Sequence, residues 1–384
     1  MSMRLITATG ACLLGAFVLP GFAQTGLPQD IDTVFEHIAD DGPGCSVGVA
    51  RDGQWILKTG YGLANMELNV PLDGSHVHRM ASVSKQFTAM AVLLLADEGK
   101  IDLHADIREY LPKLKPFDSK VSINAMLGHV SGMGDYDLVA GSYEGPKAEN
   151  ALNLKSAAGG EFRLGNEDYL TIDEFYALVA QLPLAQAPQQ NFLYSNLAYF
   201  LLSMLVEEVS GETLREYAHR RIFKPLGMHN TFFSDDPVEI VAHRADGYKK
   251  NDAGEYINDM TNLFWVGDGG LHTNLDDLLI WDAHFYEPQL GKDPDALMAL
   301  MNTPNSQHRD DDNRLYANGQ FLNDEHGITT FEHSGGWLGT STYYARIPSK
   351  HRSLMMMCND AGLDVSALAE ESLKHLLDSS THAQ

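Results

Sequence analysis

Ala81-Ser82-Val83-Ser84-Lys85 stands where an apolar run begins, with Phe87, Met90, Ala91, Leu94 and Leu95 at helical spacing and Gly99 closing it. A helix starting there puts Ser82 and Lys85 one turn apart on the same face, with Ser84 pointing elsewhere. A serine hydroxyl is a weak nucleophile until something takes its proton, and a lysine does so only when its own pKa is depressed. Burial and the positive end of the helix both push Lys85 in that direction. Many helices contain Ser-x-x-Lys as a capping serine and a solvated lysine, so the pattern gains meaning only from its company.

Two further segments supply that company. Tyr194-Ser195-Asn196 precedes another apolar helix, and in an extended or turn segment residues i and i+2 face one side together. Tyr194 is then placed to share proton transfer, and the Asn196 amide to hold a substrate carbonyl or fix the lysine. Phe331-Glu332-His333-Ser334-Gly335-Gly336-Trp337 reads as a strand with two glycines inside it, a pattern tolerated where another backbone or a ligand comes close. The main-chain N–H groups of Ser82 and Gly336 are candidates for an oxyanion hole, in which each donor is worth about 2.7–4 kcal/mol.

Around these segments the chain has strands at both ends and helices in the middle. Residues 27–41 show helical spacing (Ile31, Val34, Phe35, Ile38), and strand-like runs at 45–51 and 54–60 flank Asp52-Gly53, a hairpin signal. Helical patterns cover 172–182, 196–209 and 214–222, whereas 329–336, 340–347 and 353–358 read as strands before an amphipathic helix at 365–377. The pattern predicts an α/β domain of α+β type, with an antiparallel sheet flanked by N- and C-terminal helices and an inserted helical part. The α/β part spans about 24–81 and 245–384, the helical part about 82–244.

Composition narrows the function. The chain has 384 residues, 27 Lys+Arg against 52 Asp+Glu and a net charge of −25, which repels phosphate backbones and excludes a nucleic-acid partner. Met1 to Ala23, with Arg4 before an apolar stretch from Leu5 to Leu19 and small residues at Gly21 and Ala23, reads as a cleaved secretory signal. That stretch is shorter than the ~20 residues that span a bilayer, and no other run approaches that length. A periplasmic or secreted protein without stable membrane insertion is expected. Cys45 and Cys358 then remain, each in an apolar strand-like run; export permits a disulfide, but the reading taken here is two buried thiols on neighbouring strands.

The three segments, in this order and these settings, resemble the penicillin-recognising serine hydrolases, the class C β-lactamase-like and D-aminopeptidase-like family that also includes DD-carboxypeptidases and family VIII esterases. The resemblance runs from about Cys45 to Asp360. It includes Gly128-His129-Val130-Ser131-Gly132-Met133, Ile222-Phe223-Lys224-Pro225-Leu226-Gly227-Met228 and Gly267-Asp268-Gly269-Gly270-Leu271. It implies a β-lactamase/transpeptidase-like fold, with Ser82 as the acylated nucleophile and Lys85 and Tyr194 as the base system. Asn196 becomes a substrate-orienting group and His333-Ser334-Gly335 the third motif, with Gly336 beside it. Acyl-enzyme chemistry without metal or cofactor follows, on a small peptide, amide or ester, with β-lactams as a further candidate.

Two departures qualify the resemblance. β-Lactamases and many carboxypeptidases of the family have lysine where His333 stands; histidine, with a reference pKa of about 6.5, is mostly neutral at pH 7 and anchors a carboxylate less well. That favours D-aminopeptidase, DD-peptidase or esterase action over β-lactamase action. Gln189-Gln190-Asn191 stands where relatives usually carry Pro-Gly, which leaves the loop conformation open. A relative that binds peptidoglycan fragments without catalysis is the reading from another class.

The remaining signals are weaker. His76-Val77-His78 has the alternation of two imidazoles on one strand face, but no HExxH accompanies it, so no metal site is assigned. His129 and Ser131 are expected to brace a helix end. Trp337 and Tyr343 either line a groove or pack, and Asp268 either shapes the site or caps a helix. The polar stretch between Asp135 and Thr171, residues 137–170 in particular, is a candidate lid or a surface excursion.

Overall fold

Asp52 and Gly53 take positive φ values of 51° and 70°, the two-residue turn that joins β1 (Cys45–Arg51) to β2 (Gln54–Tyr61). In this computed structural model, residues 27–115, 117–135, 171–236, 238–261, 266–325 and 327–378 are described. The leader read at 1–23 and the candidate lid at 137–170 lie outside them. Five more strands come from the C-terminal third: β3 (Leu315–Ala317), β4 (Gln320–Glu325), β5 (Ile328–Trp337), β6 (Thr340–Ile347) and β7 (Arg352–Cys358). They form one antiparallel sheet in the order β3-β4-β5-β6-β7-β1-β2, so the hairpin from the start of the chain pairs with its last strand.

Both faces of this sheet are covered, and β7 shows why its sequence reads as a continuous apolar run. Leu354, Met356 and Cys358 pack with α1 (Leu27–Phe35) and α7 (Val365–Asp378), while Met355 and Met357 face the helical side. On that side α2 (Lys85–Asp97) is buried from Lys85 to Leu95, as a helix apolar on all sides must be. It packs against α4 (Asn196–Ser210) and α6 (Pro294–Met301), and Phe175 of α3 (Ile172–Val179) stacks edge-on against Phe200 of α4. Among the described residues no helix is long and apolar enough to cross a membrane.

Local patterning left three details to tertiary contacts. The helical layer draws α5 (Leu275–His284) and α6 from beyond residue 244, because Leu278, Trp281, Leu297 and Met301 share one apolar core with α2. The single helix expected over 214–222 instead runs from Leu214 to Ala218, widens to a π turn over His219–Phe223 and ends at Gly227, whose φ is 82°. Cys45 and Cys358 are not free thiols: they face each other across β1 and β7 and form a disulfide. Their burial was legible, but the register that sets them opposite belongs to a pairing across 313 residues.

Alkylation of the denatured, unreduced protein is therefore expected to leave both cysteines unmodified, and to modify both once reductant is added. Replacing the pair with serine is expected to lower unfolding stability by about 2–5 kcal/mol in denaturant titration.

Candidate active site

Ser82, the candidate nucleophile, sits on a short 3₁₀ turn, Ala81–Ser84, between the strand His78–Arg79 and α2. Ala81 has φ 45°, uncommon for a residue with a Cβ, and redirects the chain so that Ser82 stands at the head of the helix. Ser84 does point elsewhere: it is buried, and its Oγ accepts the Leu271 N–H at 3.0 Å.

Lys85 has no solvent exposure, and its Nζ has three acceptors: Ser82 Oγ at 3.1 Å, Asn196 Oδ1 at 2.6 Å and the Asp268 main-chain oxygen at 2.8 Å. Burial lowers its pKa to about 8, against an opposing pull from the Asp268 and Asp135 carboxylates. The geometry dictates what the free amine does. Two of its N–H bonds remain for Asn196 Oδ1 and the Asp268 carbonyl, neither of which can donate, so the lone pair faces the Ser82 hydroxyl. Asn196 therefore fixes the lysine, one of the two roles open to it from sequence. Asp268 meets the lysine through its carbonyl, in line with the site-shaping role open to it from sequence.

Tyr194 is hydrogen-bonded to Ser82, and its ring centroid lies 4.9 Å from Lys85 Nζ. Burial pushes its phenol well above the ordinary tyrosine value, so it keeps its proton while Lys85 gives one up. His129 holds this segment from behind. Its carbonyl accepts the Leu193 N–H at 2.8 Å, its Nδ1 accepts the Ser195 N–H at 3.1 Å, and its ring lies 4.3 Å from that of Tyr194. The expected bracing of a helix end is thus at the start of α4. Ser131 acts more locally, accepting the Met133 N–H at 3.2 Å.

The third motif follows β5 past the end of its partner. Pairing with β4 stops at Glu332, whereas pairing with β6 continues to Trp337, so the half from His333 onward borders the Ala81–Ser84 turn instead of a strand. A Cβ on Gly335 would lie 2.5 Å from the Met80 oxygen and 3.0 Å from Ser82 N; one on Gly336 would meet nothing within 4 Å. Only glycine lets β5 approach Ser82 at position 335. Ser334 is exposed.

His333 is 3% exposed, and both ring nitrogens are engaged: Nδ1 with the Ser334 oxygen at 2.5 Å and Nε2 with the Tyr316 hydroxyl at 3.0 Å. A carbonyl only accepts, so Nδ1 carries the hydrogen and Nε2 accepts from Tyr316. Burial, reinforced by the nearby Lys85 charge, pushes its pKa down to about 3. His333 is thus a neutral wall of the site, 6.1 Å from the Tyr194 ring between centroids.

Sequence reasoning missed two residues here. Tyr316, on the three-residue strand β3, closes the wall behind Tyr194 and His333, and Asp135 accepts from Asn196 Nδ2 at 2.8 Å. Neither carries a periodic or motif signal of its own. Several weaker signals resolve as structure. His76 pairs with Asp73 and His78 with Ser46; Trp337 donates to Thr261 Oγ1 at 2.9 Å. Tyr343 packs on the opposite sheet face with α1 and α7.

With this geometry in place, comparison with known proteins identifies the family. The model of the family described as Beta-lactamase matches residues 31–378. The chain belongs to the beta-lactamase family of serine hydrolases. It is 26% identical over 318 residues to a D-aminopeptidase of Gluconobacter oxydans, an alignment covering 83% of this chain and 56% of that relative's length. The chain thus spans little more than half of that protein. Its fold is similar to that of an octameric penicillin-binding protein homologue from Pyrococcus abyssi, with TM-score 0.74 and 24% identity over 91% of this chain and 76% of that one. It is also similar to EstCE1, a hydrolase with promiscuous acyltransferase activity, with TM-score 0.72 and 21% identity over 92% of this chain and 99% of that one.

Gly335→Ala is expected to lose about 1–3 kcal/mol of stability from overpacking, together with labelling of Ser82 by a fluorophosphonate. Gly336→Ala, with open space at its Cβ, is expected to leave the melting temperature within about 2 °C of wild type. Thermal melts of the two variants check the contrast.

Proposed function

We propose that the protein is an exported serine hydrolase that acts through an acyl-enzyme on amide, peptide or ester bonds, in the manner of a D-aminopeptidase, DD-peptidase or esterase. The observation that carries this reading is the buried Lys85 amine, whose two remaining acceptors leave its lone pair for Ser82. With a pKa of about 8, roughly a tenth of the lysine is free amine at pH 7.

In the proposed acylation, Ser82 Oγ bonds to the carbonyl carbon as its proton passes to Lys85 Nζ. The carbonyl π pair moves onto the oxygen, which the N–H groups of Ser82 and Gly336 receive. When the tetrahedral intermediate collapses, the bond to the leaving amine or alcohol breaks. The leaving group takes a proton from Tyr194, which is reprotonated by the Lys85 ammonium. Water then attacks the ester carbonyl, giving its proton to the lysine, and the acid leaves as Ser82 regains a hydrogen.

Neutral His333 supplies no cation for a substrate carboxylate, which favours acyl groups recognised without one and weighs against β-lactamase action. A binder of peptidoglycan fragments without catalysis has no use for a desolvated lysine aimed at a serine. The Cys45–Cys358 disulfide supports the export reading, because such bonds persist in oxidising compartments.

Intact-mass spectrometry after exposure to a fluorophosphonate is expected to show one adduct on the wild type and none on Ser82→Ala. A wild type without adduct overturns the proposal. The labelling rate is expected to rise with pH as Lys85 loses its proton, levelling off above about 8, with no inflection in the ordinary histidine range because His333 stays neutral. Stopped-time labelling across pH checks this.

A further inference from the structure

Asp135 joins the site from the loop that precedes α4 in space. Its Oδ2 accepts from Asn196 Nδ2 at 2.8 Å and its Oδ1 from the Leu197 N–H at 3.3 Å, so one carboxylate spans the first two residues of α4. Ser195 ties down the same strip, donating to the Gly134 oxygen at 2.8 Å and accepting from the Ala198 N–H at 3.0 Å.

An asparagine amide has two orientations of nearly equal shape and opposite hydrogen-bonding sense. A carboxylate can only accept, so beside Asp135 the Asn196 nitrogen turns toward it and the oxygen is left facing Lys85. The reversed amide would set an N–H against Lys85 Nζ. It would repel the ammonium, and in the free base it would capture the lone pair that otherwise faces Ser82.

We propose that Asp135 is a positioning residue of the acylation machinery: by fixing the direction of the Asn196 amide, it reserves the Lys85 lone pair for the Ser82 hydroxyl. The inference rests on the hydrolase reading above and deepens it. Asp135 also acts through its charge. The groups that face Lys85 are Asp268 and Asp135, the rings of Tyr194 and Tyr199, and the two histidines, His129 and His333, which burial keeps neutral. Of these only the two aspartates are charged, and each favours the ammonium form. Removing one lowers the lysine pKa and so moves the rise of activity with pH toward acid.

The two contributions separate in the readout: the charge sets the position of the ascending limb, and the amide direction sets the plateau. In Asp135→Asn the charge is gone and a single oxygen remains for two donors, Asn196 Nδ2 and the Leu197 N–H, while the new NH2 can meet a reversed Asn196 oxygen. In Asp135→Ala the charge and both acceptors are gone. The measurement is the second-order rate of Ser82 labelling by a fluorophosphonate across pH on the full chain, with thermal melts alongside.

Asp135→Asn is expected to move the ascending limb to lower pH and to lower the plateau, by less than Asp135→Ala does. Asp135→Ala is expected to show the same move and a plateau roughly 10- to 100-fold lower, the scale of a misplaced catalytic group. A role limited to capping α4 would lower the melting temperature and leave both limb and plateau in place; that result overturns the inference. If the alanine variant does not fold, an unmoved limb together with an unchanged plateau in Asp135→Asn overturns it equally. A wild type that is never labelled overturns the hydrolase reading itself, an outcome distinct from a labelled wild type with unresponsive Asp135 variants.

Discussion

An ammonium group removed from water is costly unless its protons are matched by acceptors, and the site is organised around meeting that condition for Lys85. Its three partners come from three places: the turn carrying Ser82, the head of α4 carrying Asn196, and the Gly267–Gly270 loop carrying Asp268. That loop is fastened independently to α2, through Thr88 Oγ1 on the Gly267 oxygen at 2.7 Å, and to the turn before it, through the Leu271 N–H on Ser84. The same burial that makes the lysine demanding lowers its pKa to about 8, which suits the base role proposed for it.

The sheet contributes by coming unusually close. β5 runs past β4 and lies along the Ala81–Ser84 turn, with Gly335 where any Cβ would strike the Met80 oxygen. Thr342, the partner of Gly335 on β6, donates to that same oxygen at 2.8 Å, which fixes the distance between sheet and turn from the neighbouring strand. The disulfide and the β1–β7 pairing then join the first and last strands inside the sheet, one strand from its edge, so the turn and the third motif rest on one continuous support.

At the two positions where the sequence departs from the lysine and Pro-Gly of the pattern it resembles, the structure gives a physical reading. His333 sets a neutral ring, held by Tyr316 and Ser334, in the wall beside Tyr194. Gln189 follows Pro188 in a turn closed by the Gln190 N–H on the Ala187 oxygen, and takes φ 63° at the position where glycine is favoured. The turn survives the substitution, and the Tyr194 segment keeps its place.

Much of this was legible in the residues. Periodicity marked α2, α4 and five of the sheet's seven strands; Asp52-Gly53 marked the hairpin; Ser82, Lys85, Tyr194 and the two glycines were singled out by the order of three motifs, each weak alone. These features are local, since helical phase, turn chemistry and the reach of one side chain to the next turn are fixed by neighbours in sequence. Tertiary structure decided what depends on distant partners: the opposition of Cys45 and Cys358, the recruitment of α5 and α6 into the helical layer, and the sheet face taken by Tyr343. It also decided the charge of His333 and the direction of the Asn196 amide. A buried group's protonation and an amide's orientation are set by the acceptors and charges that surround it in space, and those surroundings form only when the sheet, the helices and the loops meet around Lys85.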